Sequence, residues 1–308
     1  MRLLVTGGAG TLGNHIIRHL YDLAESISVI DNFATSEISS IASLHKVKIF
    51  EGSVASQDIV KAAFRDSKPT HIIHLAAAYK NPDDWEEDVA TNILGMINLV
   101  REARVTGVEK FVNIQTVLCY GRPDSLPLPA DAPLKPESSY AISKVAAELY
   151  LMNSTIPYVS LRLGSVISPG LSIGPIPNFF KNLMAGVPSK VTRSVRDFLD
   201  LEDFLDAFDL VLGKDSPEGV FNISSGRGVS MLEIHDAMSE LLGKETSPEV
   251  LDPKADDIPE IVLDPTGANT ALGWVARVPL RESLNKCIES YKRDGIGEIY
   301  THLRKEKD

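Results

Sequence analysis

Two cysteines in 308 residues, Cys119 and Cys287, are too few for a disulfide framework and lack the paired spacing of a zinc site. That scarcity fits a reducing compartment and argues against a metal centre. Long apolar runs are missing too: nothing approaches the roughly 20 consecutive apolar residues of a membrane span, and the run before the first glycines is too short for a signal peptide. The expectation is a cytoplasmic protein with no membrane partner. Basic clusters are also wanting, because 31 Lys and Arg face 42 Asp and Glu for a formal charge of -11. Nucleic acid is therefore a poor partner. Low-complexity tracts and solenoid periods do not occur. What remains is ample apolar material, 44% of residues, enough for a large core.

Apolar strand-like runs alternate with amphipathic helical ones. RLLVTG, SISVID, KVKIFEG, THIIHLAAA, KFVNIQT and YVSLRLG read as strands of βαβ units, which predicts an α/β fold built on a parallel sheet. After about residue 165 the texture becomes rich in Gly and Pro, in SPGLSIGPIP and later SPEVLDPKADDIPE. These mark a smaller lobe. RDFLDLEDFLDAFDLVL and VFNISSG read as a helix and a strand able to rejoin the first sheet. The expected division is 1–164 with 196–225 for the first part and 165–195 with 226–308 for the second.

The strongest chemical signal is LLVTGGAGTLGNHIIRHL, in which a strand meets Gly7, Gly8, Gly10 and Gly13 and leaves as a helix. Glycines there permit a tight turn and close approach to a pyrophosphate, while the helix start offers N–H groups to the anion. A glycine-rich turn alone has little meaning. SISVID adds Asp31 at the end of the next strand, where a carboxylate accepts both ribose hydroxyls of NAD and repels the extra phosphate of NADP. A second signal is SYAISK. Tyr140 and Lys144 share a helix face, and an ammonium beside a phenol favours the phenolate, a base usable near neutral pH. On its own such a pair is compatible with an exposed pair on a helix surface.

Taken together, TGGAGTLG, VIDN, HLAA at 74–77, TNILGMINL at 91–99, QTVLCYG, YAISK, RDFLDLED, VFNISSG and LGW at 272–274 resemble the extended short-chain dehydrogenase/reductases, specifically the NAD-dependent nucleotide-sugar epimerase/dehydratase group. AAYKNPDDW and LCYGRP look most like epimerases of bacterial surface-polysaccharide pathways. The resemblance implies a Rossmann-type doubly wound sheet with a smaller C-terminal substrate-binding lobe, NAD as cofactor, a nucleotide-sugar substrate and a homodimer. It implies that Gly7, Gly10, Thr11, Leu12, Gly13, Asp31, Asn32, Ser53, Val54, Leu75, Ala76, Ala77 and Asn92 hold the cofactor together with Tyr140 and Lys144. Tyr140 is then the base, Lys144 its support, and Thr116 the residue that aligns the reacting hydroxyl. Lys80, Thr116, Arg122, Ser165, Asn178 and Arg196 are the implied substrate contacts, with Arg196 on the diphosphate.

Departures from the family pattern narrow the reading. Sugar 4,6-dehydratases follow the threonine with Asp-Glu, whereas this chain has Val117 and Leu118, so the catalysts of dehydration are missing. Ser53 stands where Asp is common and Ser165 where Asn is common, which weakens the transfer of those two contacts. Cys119 matches no catalytic position, and Tyr120 matches a structural strand-end residue. The expected reaction is epimerisation through a transient ketosugar, at C4 of a UDP-hexose or UDP-hexuronic acid. A 4,6-dehydratase, a ketoreductase and a non-catalytic NAD-binding sensor are the alternatives.

Overall fold

Six of the apolar runs form strands as the alternation predicts: β1 (Arg2–Thr6), β2 (Ser26–Asp31), β3 (Val47–Glu51), β4 (His71–His74), β5 (Lys110–Thr116) and β6 (Tyr158–Leu163). The computed structural model describes residues 1–79, 81–213, 215–253 and 257–299. The strand Gly219–Ile223, from the VFNISSG run, joins them at one edge of a seven-stranded sheet. From that strand the order continues β6, β5, β4, β1, β2, β3. β1 pairs in parallel with β2 and with β4, and the crossovers reverse direction between β1 and β4. In such a doubly wound sheet, ligands bind outside the carboxyl ends of the strands at that reversal. This is the Rossmann-type architecture expected from the sequence.

Two compact units divide the chain. The first comprises residues 1–119, 138–162 and 208–221, and the second 120–137, 163–207 and 222–308. Leu4, Ile30, Phe64, Ile72, Met96, Leu99, Phe111 and Leu151 belong to the core on one face of the first unit's sheet, with Leu4, Ile72, Met96, Leu99, Phe111 and Leu151 wholly excluded from solvent. The second unit is built around the strand Val195–Asp200. It pairs antiparallel with Gly228–Ser230 and parallel with Ser165–Ile167 and Glu260–Ile261. A helix was expected to begin at RDFLD, but helix starts only at Leu201. Strand pairing on both sides of Arg196 overrides the helical pattern that follows it.

The helical stretch that contains TNILGMINL is interrupted. A short α-turn, Trp85–Glu87, runs into a π-helix, Asp88–Leu94, before α-helix resumes at Gly95–Thr106. The wide turn turns both Thr91 and Asn92 inward. Among the described residues no helix is long and apolar enough to cross a membrane.

Candidate active site

At the end of β1 the chain turns through Gly7 at φ +68°, and a side chain there would bring its Cβ to 2.7 Å from the Ala76 nitrogen. A Cβ at Gly13 would meet the Gly7 carbonyl oxygen and come to 2.8 Å from the Gly8 Cα. Backbone therefore packs on backbone at both points, and only glycine fits. Gly10 caps the Thr11–His19 helix without a side-chain hydrogen bond. The first-turn N–H groups of Thr11, Leu12 and Gly13 are thus left for an anion, in keeping with the positive end of a helix.

Asp31 ends β2 beside this turn. Its Oδ2 accepts from the Ala9 amide at 2.9 Å, and its Oδ1 accepts from the Phe33 amide at 2.9 Å and the Ser36 hydroxyl at 3.3 Å. A carboxylate has about four lone-pair sites, so room remains for a ribose hydroxyl. Around it, Asn32 accepts from the Ala34 amide at 3.2 Å, and Ser53 from the Ala55 amide at 3.1 Å. Val54 is buried, and the Asn98 side chain donates to the Val54 and Ala55 carbonyls at 3.0 Å each. Asn98 lies in the TNILGMINL segment, yet its role in fixing this loop was not foreseen. Leu75 and Ala76 are drawn toward β1 because their amides donate to the Thr6 carbonyl at 3.0 Å and hydroxyl at 3.2 Å. Ala77 follows, partly buried. The glycine cradle, uncapped helix start and anchored carboxylate fit a dinucleotide with free ribose hydroxyls, which is NAD.

The three expected catalytic residues come together in the first unit. Thr116 ends β5, where its hydroxyl accepts from the Leu118 amide at 3.2 Å and favours the charged form of Tyr140. Tyr140 lies in the first turn of the Ser139–Met152 helix, whose start is fixed by Ser138 accepting from the Ala141 amide. Such a cap stabilises by about 1 kcal/mol. Lys144 follows one turn later and donates its Nζ to the Ile114 carbonyl at 2.7 Å.

Electrostatics here depart from the expectation. Tyr140 was expected to be lowered by the ammonium. Instead, desolvation around its hydroxyl pushes it well above the phenol range, with Tyr79 and Asp88 acting in the same direction and Thr116 opposing. Burial outweighs the pairing because Lys144 spends its hydrogen bond on the β5 backbone. Lys144 itself is lowered to about 8 by burial, with Glu148 opposing.

Asn92, Ser143 and Gln115 brace this group. Asn92 accepts from the Ala78 amide and donates to the Ser143 hydroxyl, both at 2.8 Å, and Ser143 donates to the Tyr140 carbonyl at 2.8 Å. Gln115 donates to the Lys144 carbonyl at 2.9 Å and accepts from the Thr116 amide at 2.8 Å. Ser143 and Gln115 were missed, although both lie inside the quoted motifs YAISK and QTVLCYG. Cys119 is buried and its thiol is pushed up to about 12 by desolvation, so it carries no thiolate at neutral pH. Tyr120 is buried in the second unit, donating to Asn222 at 2.7 Å.

Of the expected substrate contacts, the second unit brings Arg122 and Arg196 to one residue. Arg196 pairs with the Asp257 carboxylate at 2.5 Å, and Arg122 donates to the Asp257 carbonyl at 3.2 Å while gripping Glu137 at 3.0 Å. Asp257 was not foreseen, being 61 residues from Arg196 with no spacing to announce it. Ser165 sits on the strand Ser165–Ile167, and Asn178 is exposed on the Pro175–Ala185 helix, donating to the Gly174 carbonyl at 3.0 Å. Lys80 lies outside the described residues. Asp197 of RDFLDLED is structural, accepting from the Ser225 amide and hydroxyl, the Gly226 amide and the Leu263 amide.

Known proteins resemble this chain over nearly its whole length. A solved structure of the Bordetella bronchiseptica enzyme WbmG, in complex with NAD and UDP, superposes with a TM-score of 0.93 at 46% identity, covering 99% of this chain and 98% of that one. The B. bronchiseptica enzyme WbmH, in complex with NAD+, gives 0.89 at 35% identity over 96% and 99% of the two chains. A UDP-glucose 4-epimerase of Mycolicibacterium smegmatis is 31% identical over 95% of this chain and 99% of its own length. Residues 3–224 match the sequence profile of the NAD dependent epimerase/dehydratase family. With the glycine cradle, Asp31 and the Thr116, Tyr140 and Lys144 group all falling inside that stretch, the chain belongs to the NAD dependent epimerase/dehydratase family.

Proposed function

We propose that the protein is an NAD-dependent epimerase acting at C4 of a UDP-linked hexose or hexuronic acid. The observation that carries this is the placing of Thr116, Tyr140 and Lys144 in one group while Val117 and Leu118, which have no ionisable group, follow the threonine. WbmG bound to NAD and UDP and the UDP-glucose 4-epimerase relatives support it. NAD belongs with the seven-stranded unit and the nucleotide sugar with the unit that carries Arg122 and Arg196. A guanidinium fork suits the diphosphate, so Arg196 takes that contact, with Lys80, Arg122, Ser165 and Asn178 as further sugar-nucleotide contacts.

The chemistry that bound NAD supplies is reversible acceptance of hydride from the sugar carbon. In its phenolate form, which the Lys144 ammonium and the positive nicotinamide of bound NAD would favour against burial, Tyr140 takes the C4 hydroxyl proton as the C–H pair of electrons departs, and Thr116 holds that hydroxyl by a hydrogen bond. The ketosugar turns over within the site, and Tyr140 returns the proton to the oxygen once hydride has arrived on the other face. Lys144 steadies the negative phenol while it remains an ammonium, and that condition fails as pH rises through about 8. Asp31 selects NAD against NADP.

Incubation with a panel of UDP-sugars tests this reading. The expected result is interconversion of 4-epimers without added reductant and without net formation of NADH. A ketoreductase consumes external cofactor in proportion to product, and a sensor gives no turnover with any of the sugars.

The cytoplasmic homodimer belongs to this proposal, as does supply of activated sugar for surface polysaccharide or glycoconjugate. Val89 and Leu94 of the π-helix and Ile142, Leu149, Tyr150 and Met152 of the Ser139–Met152 helix are exposed apolar side chains that a second copy would cover. Met96 lies in the monomer core, and Ile93 and Ile97 are partly buried. Light scattering at micromolar concentration should give twice the 33.6 kDa chain mass. A monomer mass removes the dimer and leaves the chemistry standing.

A further inference from the structure

Glu148 lies on the Ser139–Met152 helix four residues after Lys144 and eight after Tyr140, so the three share a face. Its side chain is 0% exposed, and it is held from β6. From β6, Arg162 forks onto it with Nη2 at 2.7 Å from Oε2 and Nε at 3.3 Å from Oε1. Ser160, also on β6, donates to Oε1 at 2.6 Å, and Asn113 of β5 donates to the Ser160 hydroxyl at 2.9 Å. Four side chains thus form a dry polar chain beneath the helix. Charges placed there are little screened by water, so they act strongly on their neighbours.

Lys144 is one such neighbour. Tyr140 and Glu148 lie one turn before and one turn after it on its own helix, and Ile114 of β5, Cys119 of the turn after β5 and His74 of β4 act on it or touch it. Burial holds His74 neutral by lowering it to about 3, and Cys119 is a neutral thiol. Glu148 is therefore the carboxylate acting on Lys144, while Arg162 is paired with Glu148. We propose that Glu148 is a positioning residue of the reaction: its buried carboxylate keeps Lys144 an ammonium, and Arg162 sets how much of that negative charge Lys144 feels. The proposal rests on the reading that Lys144 serves Tyr140, and it assigns work to a carboxylate whose ion pair would otherwise be purely structural.

The two halves of the ion pair give opposite signs. Glu148→Gln removes the negative charge and leaves Arg162 uncompensated, so Lys144 loses its proton more easily. Its alkaline limb in kcat should move to lower pH by roughly one unit. Arg162→Met leaves Glu148 unbalanced and should move the limb to higher pH. The double variant, with a neutral pair and the best prospect of folding, should lie below wild type but above Glu148→Gln. A role confined to stability predicts lowered melting temperatures and no movement of the limb. Titration of the Lys144 side chain by NMR in lysine-labelled protein, assigned with Lys144→Arg, follows the same proton without substrate. Opposite shifts in the single variants support the proposal. An unmoved limb and NMR titration, or two singles moving together, overturns it, and where a single does not fold the double against wild type decides. NMR shifts of the expected sign with no turnover of any UDP-sugar would leave this inference intact and remove the proposed function.

Discussion

Tyr140→Phe should lower turnover by roughly 100-fold or more while NAD binding stays close to wild type. The substitution deletes one oxygen, the atom that takes and returns the sugar proton, and leaves the ring in place. The hydroxyl sits among Tyr79, Asp88, Cys119 and Thr116, where burial raises it, so a proton accepted there is firmly held. The adenosine end of the cofactor is gripped elsewhere, at Gly7 to Gly13 and Asp31. Steady-state kinetics with a UDP-sugar and a fluorescence titration with NAD separate the two effects. Turnover near wild type would remove Tyr140 as the base.

Asp31→Ala should weaken NAD by roughly 10- to 100-fold and erase the preference over NADP. Two losses combine. The ribose hydroxyls lose their acceptor, and the amides of Ala9 and Phe33 lose theirs at 2.9 Å, so the glycine turn is loosened as well as stripped of charge. Phe33 lies at φ 54°, a backbone conformation that the Asp31 bond helps to hold. NADP, no longer repelled at its 2′-phosphate, should bind at least as well as it does to the parent protein. Calorimetric titration with both dinucleotides measures this. An unchanged ratio of affinities would show that selectivity resides elsewhere.

What could be read from the sequence was local. Gly7 to Gly13 followed by Asp31 is a strand, turn, helix and strand within 31 residues, and each residue type there answers to one backbone requirement. Tyr140 and Lys144 are four apart, and a helix brings them together whatever surrounds it. The elements that escaped depend on distant partners. Asp257 reaches Arg196 across 61 residues, and no periodicity forecasts that bond. RDFLD reads into a helical run because LEDFLDAF follows it, and only its pairing with Ser165–Ile167, Gly228–Ser230 and Glu260–Ile261 makes it a strand. The π-turn at Asp88–Leu94 answers to Asn92 bonding across to Ala78 and Ser143, contacts from elsewhere in the chain. The direction of the Tyr140 shift escaped for the same reason. Two residues suggest a pair, but burial by the rest of the fold decides which charge state is favoured, and Lys144 is turned to the Ile114 carbonyl.

The central claim is that the C4 hydrogen leaves as hydride and returns to the same carbon, with Tyr140 moving only the hydroxyl proton. Running the epimerisation of a UDP-hexose or UDP-hexuronic acid to equilibrium in deuterated water, then reading both epimers by NMR and mass spectrometry, tests it most directly. The prediction is full interconversion with no deuterium at C4 and no added reductant. Deuterium incorporated at C4, or accumulation of a 4-keto-6-deoxy sugar through loss of water, would contradict it.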